Sequence, residues 1–252
     1  EPVAAVAASS RYVAEDALEL INVDYEPLPA VVDATTAAAA NSPLIFEEHG
    51  SNVMLQRVFT WGDVDAAFGA ADQVFTEKFR WNRLGANPLE TFGVISQWDT
   101  VDGSLTCHGS FQSQYHMGLG TAAAVGLPSN KVRMISQPHG GSFGGKGGMR
   151  GTVITALLSR KAGGRPVKWI EDRMEYLAGG AGQSWDRHYE AALACKQDGT
   201  VLGFRVKLLD DLGATAEGFG AVSAAKPLAA FTGCYAIPVA QYDLTIVATN
   251  KL

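Results

Sequence analysis

A glycine-rich loop between a predicted strand and a predicted helix constrains this chain more than any other feature. Residues 140–146 (GGSFGGK) follow a β-type segment at 131–136 and precede a helical segment at 152–161. Glycine has no Cβ, so the backbone N–H groups of such a loop can approach an anionic ligand closely. Phe143, in the middle of the loop, is placed to wall off a reactive centre. The pattern predicts a ligand-binding turn.

The segments around the loop predict a mixed sheet with packed helices. Strand-like runs occur at 74–80, 91–98, 104–111, 166–170, 188–195, 201–210 and 242–248. Asp102-Gly103 and Asp198-Gly199 are strong hairpin signals between neighbouring runs. The return from the helix at 152–161 to a strand at 166–170 indicates a βαβ-like crossover. We therefore expect an α/β or α+β fold.

Chain organisation follows from the shifts in composition. Residues 1–42 predict a strand, a helix with Val13 and Ala17 on its apolar stripe, and a short strand near 22–25. The alanine-rich stretch 35–43 is typical of a linker. Residues 43–72 predict an irregular connector that contains a short helix at 64–68, capped by the residues before it. Residues 73–252 form the larger domain.

Two general interpretations of the glycine motif remain beside ligand binding. Residues 140–146 also match the GxxxxGK part of a phosphate-binding loop, but Gly147 stands where such a loop needs Ser or Thr for Mg²⁺. A purely structural turn is the second alternative. The GxGxxA pattern at 118–123 lies inside the predicted helix 115–125, where small residues favour close packing instead of dinucleotide binding.

Composition excludes several classes of protein. The chain has 20 Lys and Arg residues against 26 acidic ones, scattered along its length, so no basic surface for nucleic acid is indicated. No apolar run approaches the ~20 residues that span a bilayer. Cys107, Cys195 and Cys234 lack metal-site spacing and indicate buried thiols of a reducing compartment. We therefore expect a cytoplasmic protein with no membrane span and no protein-derived metal ligands.

The motifs together resemble the xanthine dehydrogenase, aldehyde oxidase and aerobic carbon monoxide dehydrogenase family, in its large molybdopterin-binding subunit. Members carry a strand with a Gln, a helix ending in Gly-x-Pro, a strand opening with a basic residue and Val, and a GGGFGGK loop. This chain matches with Gln112, with the segment 126–132 (GLPSNKV) and with six of the seven loop positions, Ser142 replacing the third glycine. The segments 2–29, 62–68 and 248–251 extend the likeness over nearly the whole chain.

The resemblance implies a cofactor site and its residues. Gln112 is implied to donate its side-chain amide to an oxo ligand of molybdenum, which makes it the catalytic residue. The cofactor-binding residues implied are Gly140, Gly141, Ser142, Phe143, Gly144 and Gly145. Glu90 and Lys146 are implied to have supporting roles, although Ala86 replaces the His of the family's His-x-Pro-x-Glu pattern. The cofactor that the resemblance implies is molybdenum–pterin, either molybdopterin or its cytosine dinucleotide, with no side chain expected to ligate the metal.

The resemblance also implies the wider reaction. A small substrate (CO, an aldehyde or an N-heteroaromatic) is oxidised or hydroxylated with water-derived oxygen, and electrons pass to iron–sulfur and FAD partners. Purine-oxidising members carry Glu after the loop Lys, so Gly147 disfavours a purine. The family's catalytic Glu and substrate loop lie beyond these residues.

We therefore expect a fragment of a large subunit. It would contain the end of the small N-terminal domain (1–42) and a truncated first molybdopterin-binding domain (73–252). Its partners would include the remainder of that subunit. The alternatives are a nucleotide phosphohydrolase and a non-catalytic structural homologue.

Overall fold

The computed structural model of the chain describes residues 2–179, 186–214 and 225–251. The chain folds into two compact units. The first unit contains Glu1–Pro27 and Gly85–Gln183, and the second contains Leu28–Leu84 and Ser184–Leu252. Each unit combines a sheet with helices, which confirms the predicted class. The division into residues 1–42, 43–72 and 73–252 stays a prediction.

The elements of the described residues are as follows. The helices are α1 (Arg11–Leu18), α2 (Ala34–Ala37), α3 (Val64–Gly69), α4 (Gln114–Val125), α5 (Arg150–Lys161) and α6 (Arg173–Gly179). The strands are β1 (Val53–Trp61), β2 (Gln73–Trp81), β3 (Gly93–Trp98), β4 (Leu105–Gly109), β5 (Val132–Ser136), β6 (Val167–Ile170), β7 (Asp186–Cys195), β8 (Val201–Gly213) and β9 (Ala240–Ala248). Within residues 2–179, 186–214 and 225–251, none of the helices has the length and apolar composition that a membrane span requires.

The first unit contains, within its described residues, a mixed sheet in the order β5-β4-β3-β6. β3 and β4 pair antiparallel across the turn at Asp102-Gly103, where Gly103 has φ +71°. β4 and β5 are parallel, and β6 pairs antiparallel with β3. The chain passes from β5 through α5 to β6, with β4 and β3 between the two strands. The predicted hairpin, crossover and mixed sheet are therefore confirmed.

Helix α5 is held on this sheet by hydroxyl groups as well as by apolar contacts. Ser96 Oγ lies 2.7 Å from Thr155 Oγ1, and the N–H of Trp98 donates to Ser159 Oγ at 2.9 Å. Leu105 is fully buried in the same unit. Polar groups in a core need such partners. Because α5 is fixed against β3, the loop that precedes α5 is anchored at its C-terminal end.

Helix α4 is built for close packing. A Cβ at Gly120 would overlap Met149 Sδ, and one at Gly118 would lie 3.2 Å from Met134 Cγ. Gly126 ends the helix with φ +75°. Glycine allows this approach because it has no side chain. The prediction that the small residues of 118–123 serve helix packing is confirmed.

The second unit contains, over its described residues, a sheet in the order β1-β9-β8-β7-β2. β7 and β8 form the hairpin predicted at Asp198-Gly199, and Gly199 has φ +87°. The core of this unit includes three fully buried side chains, those of Leu208, Leu244 and Ile246. Helix α3 begins where predicted, since Asp63 Oδ1 accepts a hydrogen bond from the N–H of Ala66 at 3.0 Å.

Four predictions for the first 72 residues are wrong. Helix α1 forms, but neither the segment before it nor residues 22–25 are strands. The predicted linker overlaps α2, in which Ala34 and Ala37 are buried in a cluster with Val247. The connector is not irregular, because β1 pairs with β9 from Val53 to Trp61, with one register shift between Val53 and Leu55. A strand needs a partner to satisfy its backbone groups, and local sequence does not reveal where that partner lies.

Glu171, just after β6, is a buried carboxyl group with one oxygen unpartnered in the described residues. Its side chain is 9% exposed, and that oxygen is Oε2. Its backbone is tied down, since its N–H donates to Phe92 O at 3.0 Å and its carbonyl accepts from Thr91 Oγ1 at 2.6 Å. Burial, with repulsion from Glu175, raises the pKa of Glu171 to about 7.

We expect Glu171→Gln to stabilise the chain at pH 8 by about 2–3 kcal/mol and to have little effect near pH 4. A carboxyl group with a raised pKa holds its proton longer in the native state, so native stability falls as pH rises from about 4.5 to 7. Urea denaturation at both pH values tests this, with the exposed Glu77→Gln as control. Equal stabilisation at both pH values would contradict it.

Candidate functional site

The loop between β5 and α5 turns on three residues with positive φ. Gly141 and Gly144 both have φ +93°, and Phe143 between them has φ +52°. A residue with a side chain loses roughly 1–3 kcal/mol in such a conformation. Phe143 is 79% exposed, so burial of its own ring does little to offset that cost. Strain at an exposed aromatic tip indicates a functional loop.

Two loop glycines are required by their neighbours. A Cβ at Gly145 would overlap Tyr176 Oη, and one at Gly140 would lie 2.9 Å from Glu90 Cβ. At Gly144, by contrast, an added Cβ would meet no atom within 4 Å among the described residues. The loop is therefore packed on one side and open at Gly144.

The parallel pairing of β4 and β5 brings Gln112 to this loop. The carboxyl ends of parallel strands meet at one edge of a sheet, and Gln112 and the loop follow β4 and β5 respectively. The N–H of Gln112 donates to Lys146 O at 3.1 Å. Ser136 Oγ, at the end of β5, accepts from the N–H of Phe111 at 3.3 Å. These contacts place Gln112 beside the loop.

The side-chain amide of Gln112 has a defined orientation. Its Oε1 accepts hydrogen bonds from the N–H of Gly144, at 2.8 Å, and from Ser142 Oγ. A backbone N–H can only donate, so the atom that it contacts must be the amide oxygen. The Nε2 group therefore lies on the other side of the amide, and no acceptor for it occurs in the described residues.

The backbone N–H groups of the loop fall into two sets. Those of Gly140, Gly144, Gly145 and Lys146 donate within the loop or to Glu90 and Gln112. Those of Gly141, Ser142 and Phe143 have no acceptor among the described residues. Three successive donors of this kind can bind an anion.

Glu90 and Lys146 form an ion pair below the loop. Lys146 Nζ lies 2.7 Å from Glu90 Oε2, and the Lys146 side chain is fully buried whereas that of Glu90 is 47% exposed. The same Oε2 accepts from the N–H of Gly140 at 2.7 Å. Burial alone would raise the pKa of the Glu90 carboxyl, but the hydrogen bonds from Lys146 and Gly140 outweigh it and the pKa lies below its ordinary value. The pair links both ends of the loop.

Comparison with known proteins identifies the family. The family model described as "Molybdopterin cofactor-binding domain" matches residues 45–252. The chain belongs to the molybdopterin cofactor-binding domain family. It is 37% identical to the carbon monoxide dehydrogenase large chain of Afipia carboxidovorans, with 100% of this chain and 33% of that protein covered. The family resemblance expected from the sequence is confirmed.

Two further relatives show the range of proteins that share this domain. The nicotine 6-hydroxylase large subunit of Paenarthrobacter nicotinovorans is 31% identical, with 100% of this chain and 31% of that protein covered. The aldehyde oxidoreductase structure from Desulfovibrio gigas superposes with a TM-score of 0.87 at 26% identity, covering 97% of this chain and 27% of that chain. The chain spans about a third of the length of the carbon monoxide dehydrogenase large chain and of the nicotine 6-hydroxylase large subunit.

The residues present fit a molybdopterin cofactor. Such a group brings acceptor atoms and its own metal ligands, so it needs donors and space from the protein. Gln112 Nε2 and three loop N–H groups have no acceptors among the described residues, and the space at Gly144 is open. Groups of three or more His, Cys, Asp or Glu that could hold a metal do not occur in the described part of the chain.

Tyr176 is a member of this site that the sequence did not predict. Tyr176 is 2% exposed, and its Oη lies so close to Gly145 that a Cβ added there would overlap it. That Oη has no hydrogen-bond partner in the described residues. Burial, with the nearby Glu171 carboxyl, raises its pKa. Tyr176 lies on α6, well beyond the loop in sequence, and no local pattern connects it with Gly145.

We expect Glu90→Gln to destabilise the chain by about 2–3 kcal/mol and Lys146→Met by only about 1 kcal/mol. Loss of the carboxylate leaves a buried ammonium unpaired, whereas loss of the ammonium leaves a half-exposed carboxylate that water can reach. The free energy of unfolding in urea at pH 7 tests this order. A larger loss of unfolding free energy in Lys146→Met than in Glu90→Gln would contradict the assigned burial of the two side chains.

Proposed function

We propose that this chain is the loop-bearing portion of the molybdenum-cofactor subunit of an oxidoreductase. The observation that carries the proposal is the fixed amide of Gln112, whose oxygen is occupied by two donors while its Nε2 remains available. Family membership supports the cofactor, and the relatives named above are dehydrogenases, hydroxylases and oxidoreductases.

The molybdenum–pterin group, when bound, supplies a two-electron redox centre. The protein contributes binding, orientation and electrostatic stabilisation. Gln112 Nε2 donates to an acceptor on the molybdenum group, and the N–H groups of Gly141, Ser142 and Phe143 complement its negative charge. Phe143 shields one side of the bound group from water. Glu90 and Lys146 hold the ends of the loop and do not contact substrate.

The substrate we propose is a small molecule of the CO, aldehyde or N-heteroaromatic class. The relatives named for carbon monoxide, nicotine and aldehyde support this range. Gly147 has no side chain to hydrogen-bond a purine. We propose that the remainder of the large subunit completes the active site. We also propose that iron–sulfur and FAD partners accept the electrons.

The compartment we propose is the cytoplasm. Cys107 and Cys195 are buried as predicted, whereas Cys234 is exposed, so its predicted burial is wrong. All three are free thiols. Free thiols persist in reducing compartments, whereas secreted proteins tend to pair them.

The nucleotide phosphohydrolase alternative is disfavoured by the ion pair. A phosphate-binding loop needs its Lys to reach the phosphates. Lys146 is fully buried and its Nζ donates to Glu90. Gly147 also lacks the hydroxyl that would hold Mg²⁺. Both features of such a site are therefore missing from this loop.

Metal and pterin analysis of the purified complex tests the proposal. We expect stoichiometric molybdenum and pterin per large subunit. We also expect the complex to oxidise CO, an aldehyde or an N-heterocycle when an artificial electron acceptor is supplied. Absence of both molybdenum and pterin would overturn the proposal in favour of a structural homologue. Micromolar, Mg²⁺-dependent ATP binding measured by calorimetry would instead support the phosphohydrolase.

A further inference from the structure

We infer that Ser142 is a positioning residue that sets the orientation of the Gln112 amide. This inference rests on the proposed function, in which Gln112 Nε2 donates to the bound cofactor. Ser142 is 8% exposed, so its hydroxyl is enclosed by the loop and has few alternative partners. Its Oγ hydrogen-bonds to Gln112 Oε1.

The direction of that hydrogen bond follows from its acceptor. Gln112 Oε1 is an amide oxygen and can only accept, so the Ser142 hydroxyl donates to it. The Ser142 oxygen in turn accepts from the N–H of Lys146 at 3.2 Å. The result is a chain of donors from Lys146 through Ser142 to Gln112, and chained hydrogen bonds strengthen one another.

One donor alone would orient the amide less well. The terminal torsion of a Gln side chain has a broad energy profile, so a single hydrogen bond lets the amide plane rotate. The N–H of Gly144 is the other donor to Oε1, at 2.8 Å. Two donors from different positions of the loop restrict that rotation. Removal of the Ser142 hydroxyl would therefore leave Gln112 in place but less ordered, with Nε2 aligned for part of the time.

A double-mutant cycle in the complete, molybdenum-loaded complex tests the inference. We expect Ser142→Ala to lower kcat by about 5-fold, the effect of one hydrogen bond, with KM and molybdenum content unchanged. Ser142→Gly should behave in the same way, and Ser142→Thr, which keeps the hydroxyl, should restore kcat. In a Gln112→Ala background, Ser142→Ala should have no further effect, because a residue that acts through Gln112 has nothing left to position.

A spectroscopic measurement provides a readout apart from turnover. The Mo(V) electron paramagnetic resonance spectrum of the dithionite-reduced complex should change in Ser142→Ala towards the spectrum of Gln112→Ala. The spectrum of Ser142→Thr should match that of the unaltered complex.

The outcomes separate this inference from the proposed function. If Gln112→Ala itself leaves kcat and the spectrum unchanged, the proposed role of Gln112 is overturned. If Gln112→Ala has its effect but Ser142→Ala has none, the positioning role of Ser142 is overturned. Losses that multiply in the double variant would also overturn it, because Ser142 would then act independently of Gln112.

Discussion

Replacing Gln112 with Ala is expected to lower kcat of the molybdenum-loaded complex by about 10²–10³-fold, which corresponds to about 2.7–4 kcal/mol of transition-state stabilisation. That is the loss typical of one preorganised donor removed from a site where charge develops. The molybdenum content and the thermal stability should change little, because Gln112 is exposed and lies outside the hydrophobic core.

Gln112→Glu provides a more specific version of the test. Glutamate has the same shape and keeps the oxygen that accepts from Gly144 and Ser142. An ionised carboxylate, however, has no N–H to donate. If donation is the role of Gln112, Gln112→Glu should be at least as impaired as Gln112→Ala.

Gln114→Ala is the matched control for both substitutions. Gln114 lies two residues further along, is exposed and begins helix α4. Its replacement should leave kcat unchanged. Full activity of Gln112→Glu would show that shape, and not donation, is what this position requires.

The sequence predicted the parts of the site that follow local rules. A strand that ends before a glycine run and a helix that starts after it define the loop. The turns at Asp102-Gly103 and Asp198-Gly199 predict which strands pair as hairpins, β3 with β4 and β7 with β8. Gln112 was predicted by resemblance. Its place beside the loop then follows from the parallel pairing of β4 and β5.

The hydrogen bonds within the site were not predictable in the same way. Glu90 and Lys146 are 56 positions apart, and only the fold shows that they form an ion pair below the loop. In the sequence, Ser142 is a departure from a glycine pattern, and its bond to Gln112 depends on the loop's three-dimensional path. Side-chain partners over such separations are determined by tertiary packing, which periodicity does not report.

The errors near the N-terminus have a related cause. β1 is an edge strand with an irregular burial pattern, so the alternation that reveals a half-buried strand is weak in it. The segment before α1 has the apolar character of a strand but is mostly exposed and forms no sheet. Strand formation depends on available neighbours more than on intrinsic propensity.

Replacing Gly144 with Val is expected to abolish loading of the cofactor. Gly144 has φ +93°, and an added Cβ would project into space that contains no described protein atom within 4 Å. In the proposed function that space belongs to the cofactor, so the β-branched side chain of Val would occupy its place. Inductively coupled plasma mass spectrometry of the purified complex should find molybdenum reduced to background.

Backbone strain is the competing explanation for such a loss, and Gly199 separates the two. Valine is strained at any positive φ, at a cost of roughly 1–3 kcal/mol. Gly199 has φ +87° and also has no described atom within 4 Å of an added Cβ, but it lies in the β7–β8 hairpin. Gly199→Val should therefore reproduce the strain and retain full molybdenum. If both variants lose molybdenum, the loss results from impaired folding. If Gly144→Val contains normal molybdenum, the open side of the loop is not part of the cofactor site.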